Sequence, residues 1–368
     1  SAAFGVVAIF AQKAETALAP LDQYPLWTRF ANAVLSTGRY LWLSIWPAKL
    51  ATFYPHPIRD VPWVGFVLAL AVVVFVTLAG IAWWRRRPWF LSGWLFYLVA
   101  LGPVIGILQV GNQALADRYA YVPLIGVFLV VAMALCGLPR VLRGPAAAGA
   151  VVVLGALGFA TFRQVGVWKD SFTLFGHAIE VTERNYLAHY NYAVALDQAG
   201  RKREALSHYQ KTVEIRPEYH MAWANLGLAA CLARRYDDAV SMFREAVRHR
   251  PEFAQGWFNL ATALSDSGKA REALPYFERG LSIRPEDGAA LKNLGVTYLR
   301  LAMFAEAAGA LGSAAALAPS AAVENDLGFA LESLGRADEA ESHYRRSIEM
   351  DPSPGNLARR NLARLRPR

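Results

Sequence analysis

The sequence predicts an all-α protein made of two unlike halves: a polytopic bundle of transmembrane helices, then an α-solenoid of stacked helical pairs. Three observations carry this. Long uncharged runs dominate up to about residue 164, whereas the chain after Trp168 is charged, Ala-rich and helix-forming. In that second half Pro217, Pro251, Pro285 and Pro319 recur at one fixed interval. The 368 residues taken together are 55% hydrophobic and 18% charged, which is what averaging a membrane bundle with a polar repeat array gives.

The chain opens on SAAFGVVAIFAQK, an apolar run with no basic leader. It is only about ten residues long where a bilayer span needs about 20, so it reads as the end of a membrane helix whose upstream part is missing. RFANAVLSTGRYLWLSIWPAKLATFYPHP follows, mixing apolar and aromatic residues with Arg29, Arg39 and Lys49 and broken by Pro47, Pro55 and Pro57. That mixture predicts an amphipathic or re-entrant helix on the outer membrane face. Residues 1–60 are thus a truncated membrane helix plus this outer segment. Residues 61–164 hold four predicted spans, at 61–84, 89–110, 121–138 and 146–162, with Trp63, Trp83, Trp84, Trp89 and Tyr121 at their ends, where amphipathic rings favour the interface. Arg85, Arg86 and Arg87 join the first two spans, and Arg140 and Arg143 join the last two. Positive loops stay cytoplasmic, so the loop 111–120 and everything after Arg163 face the other side. Arg- and Ala-rich usage points to a multi-pass bacterial plasma-membrane protein with an extracytoplasmic repeat half.

The prolines are 34 residues apart, the tetratricopeptide (TPR) period, and Pro352 follows the last of them. Small residues recur in step at Ala205, Ala239, Ala273, Ala307 and Ala340, and aromatics at Tyr209, Phe243 and Phe277. Residues 186–354 therefore read as five helix–turn–helix repeats, each burying its face against its neighbours. Residues 165–185 are a linker and a half-repeat cap, with a lone second helix in WKDSFTLFGHAIEVTERN, and residues 355–368 are a C-terminal capping helix. Asn191, Asn225, Asn259 and Asn293 recur at one position of the first helices. An amide donates and accepts, which suits the backbone of a bound peptide; frequent use of Asn in such repeats, solvated or bonded internally, explains it equally well. Tyr190, Asp197 and Gln198 fall on the same groove side of the first repeat.

Chemistry is sparse. Cys136 and Cys231 have no CxxC partner, and no P-loop, GxGxxG, HExxH or GxSxG stretch occurs. The seven His residues are scattered. Polar features that could meet at the outer interface are His56 in FYPHP, the stretch with Gln109, Asn112 and Gln113, and the adjacent pair Asp117–Arg118. That pair is solvated, internally paired or ligand-handling. A net charge of +9 fits anionic lipid or a phosphate-bearing ligand, and basic cytoplasmic loops explain it as well. No nucleic-acid partner is expected.

LWLSIWPAKLATFYPHP, LVALGPVIGILQVGNQALADRYAYVPLIG and FRQVGVWKDSFTLFGHAIEVTERNYLAHYNYAVAL closely resemble bacterial TPR-containing membrane proteins. These in turn resemble the transmembrane-and-TPR (TMTC-type) O-mannosyltransferases of the GT-C glycosyltransferase superfamily. The resemblance implies a GT-C-like, N-terminally truncated bundle and an enzyme that moves a mannose-like sugar from a polyprenyl-phosphate carrier to protein. It also implies that the catalytic carboxylate, in a first outer loop, lies upstream of Ser1. No catalytic residue is then expected in this chain, and no residue cluster calls for a divalent metal. On the same resemblance Arg118 binds the carrier phosphate bidentately, with Asp117 orienting it and His56 as a further donor contact. The competing expectation is a non-catalytic, membrane-anchored TPR scaffold in the cell envelope.

Overall fold

The computed structural model describes residues 25–56, 61–106 and 113–365. The opening apolar run and the stretch with Gln109 and Asn112 lie outside them. The chain divides into two compact units, 1–211 and 212–368.

In the first unit α1 (Leu26–Ile45) is amphipathic in an inverted sense. Thr28, Arg29, Asn32, Ser36, Thr37 and Tyr40 are buried, while Leu26, Trp27, Phe30, Trp42 and Ile45 are exposed. The polar face is inside because it serves irregular backbone. Asn32 Nδ2 donates to the Ala114 carbonyl (2.9 Å), and the Tyr40 hydroxyl donates to the Ala116 carbonyl (2.9 Å) and accepts from the Ala116 N–H (3.1 Å). Backbone at membrane depth has no water to bond and must find such partners in the protein. The helix is amphipathic with its apolar face outward and its polar face holding a loop.

Helix α2 (Trp63–Trp83) lies beside α1 and runs in the same direction. Trp27 stacks on Trp63 (5.6 Å) and meets Phe66 edge-on (5.5 Å). Further along, Gly38 and Ala69 touch so closely that a Cβ on Gly38 would sit 2.9 Å from that of Ala69. The connection between the helices therefore runs back alongside α1. Part of it, β1 (Tyr54–Pro55), pairs antiparallel with β2 (Gln113–Leu115), a two-stranded ladder that the sequence reading did not foresee.

Helix α3 (Pro88–Leu101) turns back along α2, with Trp94 Nε1 donating to Thr77 Oγ1 (2.9 Å). The span expected over 89–110 is not one continuous helix. Pro103 has no N–H to give and its ring opposes the carbonyl of Val99, and Gly106 takes φ +89°. Fourteen residues reach about 21 Å, short of a ~30 Å hydrocarbon core. A 3-10 turn (Asp117–Ala120) leads into α4 (Tyr121–Cys136), and α5 (Arg140–Val167) follows. Helices α3 and α4 cross at Gly93 and Gly126, where a Cβ on Gly93 would lie 2.7 Å from the Gly126 carbonyl oxygen. That antiparallel crossing puts the Arg85–Arg87 turn and the Arg140/Arg143 turn at one end of the unit. Three helical stretches, Trp63–Trp83, Asp117–Cys136 and Arg140–Val167, are long and apolar enough to cross a membrane. Helix α5 buries none of its residues.

Helix α6 (Ser171–Val181) is started by a capping box in which Thr173 N–H donates to Asp170 Oδ1 (2.8 Å). With α7 (Tyr186–Gln198) it packs onto the loop before β1. Ala178 and Ala188 join Ala51, Tyr54, Tyr97 and Leu101 in one core, and Asn185 Nδ2 donates to the Phe53 carbonyl (2.9 Å). The division between the units falls inside α8 (Lys202–Ile215).

The second unit continues as helical pairs: α9 (His220–Leu232) with α10 (Tyr236–His249), α11 (Ala254–Asp266) with α12 (Ala270–Ile283), α13 (Gly288–Arg300) with α14 (Phe304–Leu317), and α15 (Ala321–Ser333) with α16 (Ala337–Met350). Small residues on first helices admit large ones from second helices: a Cβ on Gly227 would sit 2.6 Å from Phe243, and one on Gly328 2.8 Å from Tyr344. The indole N–H groups of Trp223 and Trp257 donate to the carbonyls of the preceding period prolines, Pro217 and Pro251, both at 2.7 Å. The C-terminal helix α17 (Leu357–Leu365) closes the array, with Ala358 fully buried and Arg364 bidentate on Glu332 (3.1 and 2.9 Å).

Candidate functional site

The loop at Asp117 is not at an open water interface. Ala114, Leu115 and Ala116 are buried between β1 and the polar face of α1. Asp117 does not pair with Arg118. Its Oδ2 accepts from the Tyr54 hydroxyl (3.3 Å), which also accepts from the Ala51 N–H (2.8 Å), while Oδ1 is buried without a hydrogen bond. Arg118 is exposed and lies over the Tyr119 ring, 5.1 Å from its centroid. Burial, with the Asp117 charge behind it, holds the Tyr54 hydroxyl above its ordinary pKa, so it stays a donor to the carboxylate. The sequence expectation that Asp117 orients Arg118 is corrected: Asp117 orients Tyr54.

His56 is only 6% exposed, so it offers no surface to a headgroup. Burial, aided by the Arg29 charge, lowers its pKa from 6.5 to about 4. The imidazole is neutral at pH 7 and belongs to the interior.

Arg39, the residue before Tyr40 at the end of the buried face of α1, was missed by the sequence reading. Its guanidinium stacks over Tyr54, 4.5 Å from the ring centroid. Arg39–Tyr54–Asp117 is thus a continuous chain from an exposed cation to a half-buried carboxylate. The signal that could have found it was helical spacing: Asn32, Ser36 and Tyr40 mark the loop-facing side, and Arg39 stands beside it.

The recurrent asparagines occupy the sixth residue of α7, α9, α11 and α13, and all are half-buried. The sixth residue of α15 is Asp326, so the series in the second unit ends in a carboxylate. These side chains are partly engaged. Asn259 Oδ1 accepts from Gln255 (3.0 Å), and Asn293 Nδ2 donates to Thr262 Oγ1 (3.3 Å). A cavity of about 260 Å³ is lined by Thr262, Ser265, Asp266, Lys292, Asn293 and Asp326, among others. Arg300 closes one side by pairing with Asp266 (2.8 Å). Burial pushes the Asp326 carboxyl up, partly opposed by Asn325 and Lys292. In the first unit Tyr190 is not open to a groove: it is 8% exposed, with its ring 5.8 Å from Tyr209. Among the described residues no three His, Cys, Asp or Glu converge as metal ligands would.

Comparison with known proteins adds to this geometry. Tetratricopeptide-repeat family models match residues 173–220, 190–254, 224–264 and 258–322, and a second such model matches 325–354. The chain is similar to protein O-mannosyl-transferase TMTC1 of Mus musculus, 26% identical over 198 residues. It is also 26% identical over 208 residues to the Homo sapiens protein of the same name. These matches cover 50% and 52% of this chain but 21% and 23% of the relatives, so the chain spans about a fifth of their length. Among solved structures, YrrB, titled a TPR protein with an unusual peptide-binding site, is 23% identical with a TM-score of 0.45, covering 51% of this chain and 96% of that one. A MamA protein is 18% identical with a TM-score of 0.42, covering 45% of this chain and 92% of its own. The chain is an all-α protein in which membrane-type helices precede tetratricopeptide repeats, with distant similarity to an O-mannosyl-transferase over half its length.

Proposed function

We propose that this chain is the part of a membrane-embedded glycosyltransferase that holds a polyprenyl-phosphate sugar at the bilayer surface and presents a polypeptide acceptor on its repeat array. The observation that carries the reading is the joint inside the first unit. The loop bearing Asp117 and Arg118 is packed under α6 and α7 through Tyr54, Ala178, Ala188 and the Asn185–Phe53 bond. The first repeat helices, α6 and α7, thus share one core with the loop that would face the lipid carrier. The similarity to O-mannosyl-transferases supports a mannose-like sugar. Both arginine-bearing turns at one end support a cytoplasmic position for that end and an extracytoplasmic one for the repeats.

In this reading Arg118 contributes a guanidinium for the carrier phosphate, and Asn225, Asn259 and Asn293 bond the acceptor backbone. The test is incubation of the full-length protein in nanodiscs with polyprenyl-phosphate mannose and an unfolded acceptor peptide. Transfer that falls at least tenfold in Arg118→Ala, and acceptor affinity that falls in Asn225→Ala/Asn259→Ala/Asn293→Ala with an unchanged melting temperature, is the expected result. Peptide binding without any sugar transfer would replace the enzyme reading with the scaffold reading.

A further inference from the structure

A groove of about 550 Å³ runs between α1 and α2 and is floored by the β2 strand. Its walls are Leu35, Trp42, Leu68 and Val72, and Gly38, Gly65 and Ala69 provide the space. Asn32, Ser36 and Ala114 lie at its floor, and among the described residues Arg39 is the one charged residue lining it. The surrounding surface is apolar and exposed: Trp42, Ile45, Trp46, Leu68 and Val72 all face outward. Arg39 is exposed too, and the Asp117 carboxylate acts on it electrostatically through Tyr54, with no ion pair to Arg39 among the described residues. Tyr54 holds the guanidinium from one side by its ring, which leaves the N–H edges directed elsewhere.

An unpaired guanidinium set in a lipid-facing apolar surface, at the rim of an apolar groove, calls for a ligand with matching parts. The groove walls suit hydrocarbon, and the planar N–H fork suits two oxygens of one phosphate. We infer that the α1–α2 groove holds the hydrocarbon of a long-chain lipid monophosphate from the bilayer, with Arg39 pairing with its head phosphate. This rests on the lipid-carrier reading above, assigns the carrier a seat, and adds Arg39 to Arg118 as a second guanidinium for its phosphate. Asp117 is a positioning residue here: it orients the Tyr54 hydroxyl, and Tyr54 orients Arg39.

The test measures lipid binding, not sugar transfer. Full-length protein in phosphatidylcholine nanodiscs is titrated with a fluorescent long-chain polyprenyl monophosphate, the uncharged polyprenol of equal length, and phosphatidylglycerol. Arg39 is exposed, so Arg39→Gln gives up only its stacking on Tyr54; it should weaken polyprenyl monophosphate about tenfold and leave polyprenol unchanged. Gly65→Leu places a side chain in the groove, where its Cβ would meet the movable end of Leu35 at 3.3 Å, and should weaken both polyprenyl probes. Asp117→Asn should fall between Arg39→Gln and the unaltered protein for the phosphate probe alone. Unchanged monophosphate affinity in Arg39→Gln overturns the proposal, as does equal displacement by phosphatidylglycerol, which would mark an unspecific annular site. Intact lipid binding with no sugar transfer would instead count against the enzyme reading and leave the groove assignment standing.

Discussion

His56 is buried beside Arg29, and burial first and the Arg29 charge second lower its pKa from 6.5 to about 4. Between those values the unfolded chain takes up a proton that the folded one refuses. Stability contributed at neutral pH is therefore lost as pH falls from 6.5 towards 4, by up to about 3 kcal/mol. Thermal unfolding of the detergent-solubilised chain from pH 7 to pH 4 should show this fall, and His56→Gln should flatten it. Parallel pH profiles for the two proteins would remove His56 as the cause. The same burial separates two acidic side chains with different surroundings. Asp117 has one oxygen bonded to Tyr54 and the other buried without a donor, whereas Glu332 is met by Arg364 and Tyr344 together.

One turn type repeats through the array, at the end of each first helix. The residue there has positive φ: Gly200 (77°), Arg234 (58°), Gly268 (86°), Ala302 (56°) and Gly335 (77°). Glycine fits this left-handed conformation without a Cβ clash, while Arg234 and Ala302 are strained in it. Ala302→Gly should stabilise the repeat unit by about 0.5–1 kcal/mol, relief of strain exceeding the entropy glycine adds to the unfolded chain. Urea denaturation read at Trp223 and Trp257 would register it, and a destabilised variant would show that the strain is compensated locally. Membrane helices close up by another device. At Gly93 and Gly126 two backbones touch, and at Gly38 and Ala69 α1 meets α2, so small residues set the approach where lipid supplies no hydrophobic drive.

A stacked array buries each repeat only against its neighbours, so its end needs a cover. Helix α17 is that cover: Ala358 is fully buried, Leu362 and Leu365 pack on the core that contains Leu327, Leu331 and Tyr344, and Asn356 Nδ2 bonds the Ser347 (2.9 Å) and Asp351 (2.8 Å) carbonyls. Removing residues 356–368 should lower the melting temperature of the repeat unit by about 5 °C or more and expose an apolar end that self-associates. Unchanged melting and a monodisperse product would show the last pair to be self-sufficient. In the first unit α5 buries nothing, and α1 turns Leu26, Trp27, Phe30, Trp42 and Ile45 outward, apolar faces of the kind a bilayer covers.

Local pattern was enough for the repeats. A 34-residue period fixes which residues face the next helix, because each contact is made within one pair or between neighbours, and the helices at Ser171–Val181 and Leu357–Leu365 were legible for the same reason. Membrane helices were legible as uncharged runs, except where Pro103 and Gly106 end α3 inside one. The site was legible only in part. Asp117 and Arg118 stood out because charge next to apolar sequence is rare, but that two adjacent residues would take separate partners, Tyr54 and Tyr119, depends on chain 63 positions away. Sequence alone determined the all-α architecture, the repeat period and the apolar spans, all set by short-range periodicity. Tertiary structure alone decided that α1 is polar inward, that β1 pairs with β2, and that Arg39 rather than Arg118 shares a chain with Asp117. Those follow from irregular backbone needing hydrogen-bond partners from a helix distant in sequence.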